Sequence, residues 1–160
     1  MNPRLTALAG IFQLNTRIYH LTLDGIEDAE ARTRPAAAGN PALWIAGHAT
    51  SHRAVVARLC GAPYRFPHAE LFARGGSADD PAALPPLAEI TRHWDEVSKQ
   101  MLARFEQLGD AELDAAVEGS YPVELPGLMG ALSFFAMHDS YHLGQLGFLR
   151  AALGRPGIAG

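Results

Sequence analysis

His138 and His142 stand four residues apart in the run His138-Asp139-Ser140-Tyr141-His142-Leu143-Gly144-Gln145. On a helix this spacing offsets two side chains by about 40° around the axis and about 6 Å along it, so both imidazoles can reach one metal ion. A second pair, His48 and His52, repeats the spacing far upstream. Each pair interrupts an otherwise apolar helical stripe. A lone histidine on such a face is ordinarily a core residue, but four on two faces are hard to attribute to packing alone. They point to His48, His138 and His142 as ligands of one divalent metal, with His52 a weaker candidate. Three imidazoles leave a position for water or substrate, the feature that separates a catalytic metal site from a closed structural one. All-nitrogen ligation suits Zn, Ni, Fe(II), Co or Cu and argues against Ca or Mg.

Gln145, seven residues past His138, projects on the same side and is placed to orient a bound water or a substrate group. The alternative is a polar residue satisfied by a neighbouring helix. Tyr141 and Asp139 are weaker candidates for supporting the ligands, and Asp139, about 100° off the stripe, is expected in solvent. The zinc-protease pattern His-Glu-x-x-His is disfavoured, because Asp139 stands where the glutamate base belongs. Its inverted form needs glutamate where Tyr141 stands.

The elements that carry these residues follow from apolar periodicity. Leu128, Ala131, Phe134, Phe135, His138, Tyr141, His142, Gln145 and Leu149 fall in steps of three and four, which predicts a helix over 127–153. Pro126 suits its first turn and Gly154 a left-handed end. Gly130, Gly144 and Gly147 weaken its propensity and suggest close approach by a neighbouring helix. Asn40 followed by Pro41 reads as a cap and first turn for a helix over 41–60, with Trp44, Ile45, His48, His52, Val55 and Leu59 inward and Gly61 past its end. Leu5, Leu8, Phe12, Tyr19 and Leu23 predict a first helix over 3–24, with His20 at its margin. Leu87, Ile90, Trp94, Val97, Met101, Phe105 and Leu108 predict a third over 86–108, assigned to core packing with His93 facing out.

Short turns are expected at Ile26–Ala31 and Ala111–Val117, and a connection at Ala36–Asn40. A brief extended piece is expected around Tyr121-Pro122-Val123. Between Ala62 and Pro86, prolines with Gly75-Gly76 and Asp79-Asp80 mark a long connection that Tyr64, Phe66 and Phe72 can pack down, with His68 in solvent. Four long amphipathic segments without a convincing strand give an all-α four-helix bundle. The long middle connection permits a crossover that sets helices two and three parallel.

The whole chain sets bounds on partners. Its 160 residues, 48% hydrophobic, suit one domain over 1–160 with its own core. A net charge of −4 without a basic cluster disfavours nucleic acid and membrane surfaces. No apolar run spans a bilayer and no secretory signal opens the chain, so a cytoplasmic location is expected. Cys60 is the single cysteine and reads as a small buried residue at a helix end. It lies about 18 Å along the axis from His48 by helix rise, too far to act as a nucleophile at the metal.

Trp44-Ile45-Ala46-Gly47-His48, the later run from His138 to Gln145 and the terminal Leu153-Gly154 resemble the DinB-like (YfiT-related) superfamily over essentially the whole chain. The resemblance implies an up-down-down-up bundle, a divalent metal (Zn, Ni or Fe first) on His48, His138 and His142, and a homodimer. It also implies a link to thiol-dependent transferases and to the mycothiol-dependent maleylpyruvate isomerase. His52 departs from the pattern, one turn beyond an expected ligand, where it can alter coordination or act as a base. The expected activity is transfer or isomerisation of a small-molecule substrate with an external low-molecular-weight thiol. The alternatives are a metal-dependent hydrolase and a non-catalytic metal-binding or stress-related bundle.

Overall fold

The computed structural model describes residues 1–35, 39–73 and 80–158. Helices α1 (Thr6–Leu23), α3 (Ala42–Leu59), α4 (Leu87–Phe105) and α6 (Gly127–Ala152) form the bundle, with short helices α2 (Asp28–Ala31) and α5 (Asp110–Asp114) at its ends. Tight 3-10 turns occupy Pro3–Leu5, Ala69–Phe72 and Pro81–Ala83. The four long elements lie where apolar periodicity placed them. Among the described residues there is no strand, and the segment at Tyr121-Pro122-Val123 is a bend closed by the Val123 N–H donating to the Tyr121 carbonyl. Residues 36–38 of the connection expected at Ala36–Asn40, and Gly75, Gly76 and Asp79, lie outside the described residues.

Two local expectations are corrected. Asn40 does not cap α3: Pro41, extended at ψ 154, is itself the cap residue, and its carbonyl accepts the first helical bond from Ile45. The start is thereby moved one residue on, beyond reach of the Asn40 side chain. The helix does end as expected, with Gly61 left-handed at φ 82. In α6, close approach at a glycine comes from the preceding loop rather than from a helix. A Cβ at Gly130 would strike the Leu125 carbonyl, whereas Gly144 faces open space.

Cross-helix contacts fix the direction of each element. Asn15 on α1 donates to the Ala136 carbonyl and to Ser140 on α6, and Arg150 reaches the Asp24 carbonyl, so these two helices run parallel. His48 packs on His142 and His52 on Phe135, which sets α3 antiparallel to α6. Arg53 donates to Ser98, and Arg104 to the Cys60 carbonyl, so α4 runs with α3. Phe12 meets Phe105 while Tyr19 stacks on Trp94, placing α4 antiparallel to α1. The result is an up-down-down-up bundle whose parallel middle pair requires the crossover at 60–86.

That crossover is held by Tyr64, Phe66 and Phe72, all buried. Phe72 lies so close over α3 that a Cβ at Gly47 would overlap its ring. Covered by this segment, α3 is buried continuously from Ala42 to Thr50 rather than along a single inward face.

Candidate metal centre

His48 lies in the buried half of α3 and stacks on Trp44, ring centroids 4.7 Å apart. Its Nδ1–H donates to the Phe72 carbonyl at 2.7 Å, which leaves the Nε2 lone pair free. On α6, His142 donates Nδ1–H to Gln145 Oε1 at 2.7 Å, and the Gln145 amide in turn donates to the Tyr141 hydroxyl at 3.4 Å. His138, one turn earlier, brings its Nε2 to 3.2 Å from the Nε2 of His142. One ring nitrogen from each of His48, His138 and His142 lies within 4.8 Å of the other two. In His48 and His142 an oxygen acceptor on the far side of the ring holds the donor nitrogen in a metal-ligand arrangement, whereas the Nδ1 of His138 is buried without a partner among the described residues. Two Nε2 atoms at 3.2 Å repel as lone pairs unless they share a proton or a cation, so the donor set fits a divalent transition metal.

Burial pushes the imidazoles down from their ordinary value: His138 to about 3, His142 to about 4 and His52 to about 4, with His48 lowered for the same reason. Mutual repulsion among the rings adds to the effect, opposed at His142 by the bond to Gln145. All four are therefore neutral at pH 7, the form that binds metal. His52 stands beside the triad, its ring centroid 4.4 Å from that of His48 and 4.1 Å from that of His138. Its Nδ1 is buried without a partner among the described residues. Tyr141 is 59% exposed at the rim.

Immediately below the imidazoles lies a charged layer that sequence reasoning missed. Asp139, expected in solvent, is fully buried, and its Oδ2 accepts from Arg53 Nε at 2.9 Å. Arg53 also donates to Thr16, Ser98 and the Phe12 carbonyl, and its guanidinium lies 3.7 Å above the Trp94 ring. One side chain thus ties all four long helices together. Burial raises the Asp139 carboxyl and lowers the Arg53 guanidinium, and each opposes the shift in the other. A signal was available, since opposite charges stand alone in the middle of two apolar helices.

His93, expected to face out, is also buried, and donates Nδ1–H to the Tyr64 hydroxyl at 2.7 Å. His68 is only partly exposed and meets Glu89 at 2.7 Å. Cys60 is buried as expected, and burial pushes its thiol up to about 12. His20 is exposed and paired with Asp95.

A cleft of about 430 Å³ opens beside Gln145, walled by Ile45, Tyr141, Phe148 and Leu149. A larger groove of about 710 Å³ lies between the end of α1 and the start of α4. None of the three converging histidines lines either cavity, and the smaller one borders the site only through Tyr141 and Gln145.

A protein-family model described as the DinB superfamily matches residues 11–146. Among solved structures, the chain is similar to YfiT from Bacillus subtilis, described as a probable metal-dependent hydrolase with an unusual four-helix bundle topology. The TM-score is 0.67 at 15% identity, covering 98% of this chain and 91% of that one. At that identity the likeness establishes the fold. No curated protein matches the chain.

Proposed function

Because this chain belongs to the DinB superfamily, we propose that it is a divalent-metal-binding bundle protein with a small-molecule substrate. His48, His138 and His142 would hold one transition metal. The observation that carries this reading is the convergence of three neutral ring nitrogens within 4.8 Å. A metal with an open position would lower the pKa of a thiol or a water presented to it.

The residues around the triad have separate tasks. The Phe72 carbonyl and Gln145 fix the tautomers of His48 and His142, and Tyr141 and Gln145 line the cleft where a substrate would dock. His52 lies beside the triad with a buried nitrogen that has no partner among the described residues, from where it could alter coordination; burial, which pushes it down to about 4, works against its taking up a proton.

Thiol transfer or isomerisation is the preferred chemistry. Asp139, the carboxylate within the His138–Gln145 run, is committed to Arg53 and unavailable as a base for water, whereas a coordinated thiol needs only to lose its proton. The thiol comes from outside, since Cys60 is buried with its thiol held protonated. Hydrolysis is the second reading. It is favoured by the position of His52 and by the description of YfiT as a probable metal-dependent hydrolase. The single-domain, cytoplasmic and homodimeric form belongs to the same proposal.

The test incubates metal-loaded protein with glutathione, bacillithiol or mycothiol and a panel of electrophiles, and separately with hydrolysable esters and amides. Metal-dependent thiol turnover that survives Cys60→Ser and is lost in His142→Ala supports the first reading. Turnover confined to the hydrolysable panel and reduced in His52→Ala supports the second. Equal turnover in the His142 variant refutes both, and silence in every arm leaves a metal-binding protein without catalysis.

A further inference from the structure

Away from the triad, the crossover segment and α4 bring a second donor set together. One ligand atom each from His68, Glu89 and His93 lies within 4.8 Å of the other two. His68 Nε2 is 2.7 Å and His93 Nε2 3.9 Å from Glu89 Oε1. His93 is built as a metal ligand is built. The Tyr64 hydroxyl points its proton at the His93 carbonyl, 3.3 Å away, and so accepts the Nδ1–H, leaving the Nε2 lone pair turned toward Glu89. Arg92 Nη2 donates to that lone pair at 3.3 Å. Arg92 is an exposed side chain whose other nitrogen is already 4.0 Å from Glu96, so it has an alternative partner when the lone pair is needed elsewhere.

We propose that His68, Glu89 and His93 form a second cation site, distinct from the triad, which takes a divalent transition metal. Two imidazoles and a carboxylate select borderline metals such as Zn over Ca or Mg. The consequence reaches the first centre. His68 immediately precedes the Ala69–Phe72 turn, and Phe66 packs its ring against His68, His93 and Phe72. A cation here fastens the crossover to α4 and steadies the Phe72 carbonyl that orients His48.

The experiment measures zinc per chain by elemental analysis after dialysis, in the full-length protein and in variants shown to be helical by circular dichroism. Wild type should retain two equivalents and the His138→Ala/His142→Ala protein one. Adding Glu89→Gln or His68→Ala to that double variant should remove the last equivalent. Both of those side chains are partly exposed, so folding is spared. Arg92→Ala should tighten the remaining equivalent, because it removes a competing cation. Zinc that persists in the Glu89 and His68 variants overturns the proposal. So does a wild type holding one equivalent that vanishes with the triad, a result that leaves the first site intact. A wild type holding one equivalent that survives loss of the triad but not of Glu89 upholds the second site and refutes the first.

Discussion

Gln145 shows what a single side chain does at this centre. Its side-chain carbonyl accepts the Nδ1–H of His142 and so fixes that ring. Gln145→Leu should therefore weaken metal binding about 10–100-fold, as loss of a partner to a ligating histidine generally does. Gln145→Glu keeps an acceptor and should retain affinity, which a competition titration with a chelator will report. The neutral imidazoles also set a pH dependence in the metal-free protein. In the unfolded chain they titrate near 6.5 and in the folded one near 3 to 4. Between those limits the unfolded state binds more protons, so their contribution is fully present above pH 6.5 and is lost as the pH falls through that window. The Tm of metal-free protein should drop between pH 6.5 and 5, above the range of carboxylate titration, and His138→Ala/His142→Ala should flatten the slope. The i, i+4 spacing is enough to bring His138 and His142 together on one helix, whereas His48 comes from another helix and was reached through a second interrupted stripe and the family resemblance. Asp139 and His93 were not legible, because a helical angle does not say which distant residue, Arg53 or Tyr64, waits at that position.

At the scale of elements, the crossover and α3 act as one unit. Gly47 permits the Phe72 ring to seat on the helix, and the carbonyl of the same residue orients His48. Gly47→Ala should displace that ring at a cost of about 1–3 kcal/mol, the usual penalty of overpacking, and should weaken metal binding with it. Denaturant unfolding and metal content measured on the same variant check the two effects together. If stability falls while affinity is untouched, the Phe72 carbonyl is not positioning His48. The aromatic residues of the connection announced that it packs down. Its backbone contact to His48 left no trace in residue type, since any amino acid presents a carbonyl. The start of α3 was misplaced by one residue for a similar reason: Asn-Pro is compatible with two cap registers, and only the extended backbone of Pro41 decides between them.

The whole molecule is joined at Arg53. Asp139→Ala should cost about 3–5 kcal/mol, because it strands a buried guanidinium, and replacing Arg53 and Asp139 together by leucine should recover part of that loss. A double-mutant cycle in urea measures the coupling. On the outer surface, Ile11, Leu14 and Leu21 of α1 and Met137 and Phe148 of α6 are exposed. Exposed apolar side chains on these helices are a route to the expected homodimer. Light scattering at micromolar concentration should give a dimeric mass that Leu14→Asp reduces to a monomer, and a monomeric wild type would refute it. Four helices were legible from periodicity and the long connection allowed the middle two to be parallel, but the full set of directions followed from the resemblance, since amphipathic stripes do not record which end of a helix is up.

The ionic layer has one further consequence. Arg53 directly follows His52 and Asp139 directly follows His138, so the bundle carries a reading frame of its own. A residue inserted in a surface loop lengthens the chain and leaves the frame untouched. One inserted between His48 and Arg53, or between Asp139 and His142, turns an imidazole by about 100° while the ion pair stays in place. Variation in length is therefore tolerated in the loops and forbidden within these two short stretches, which a scan of single-residue insertions along α3 and α6 would map directly.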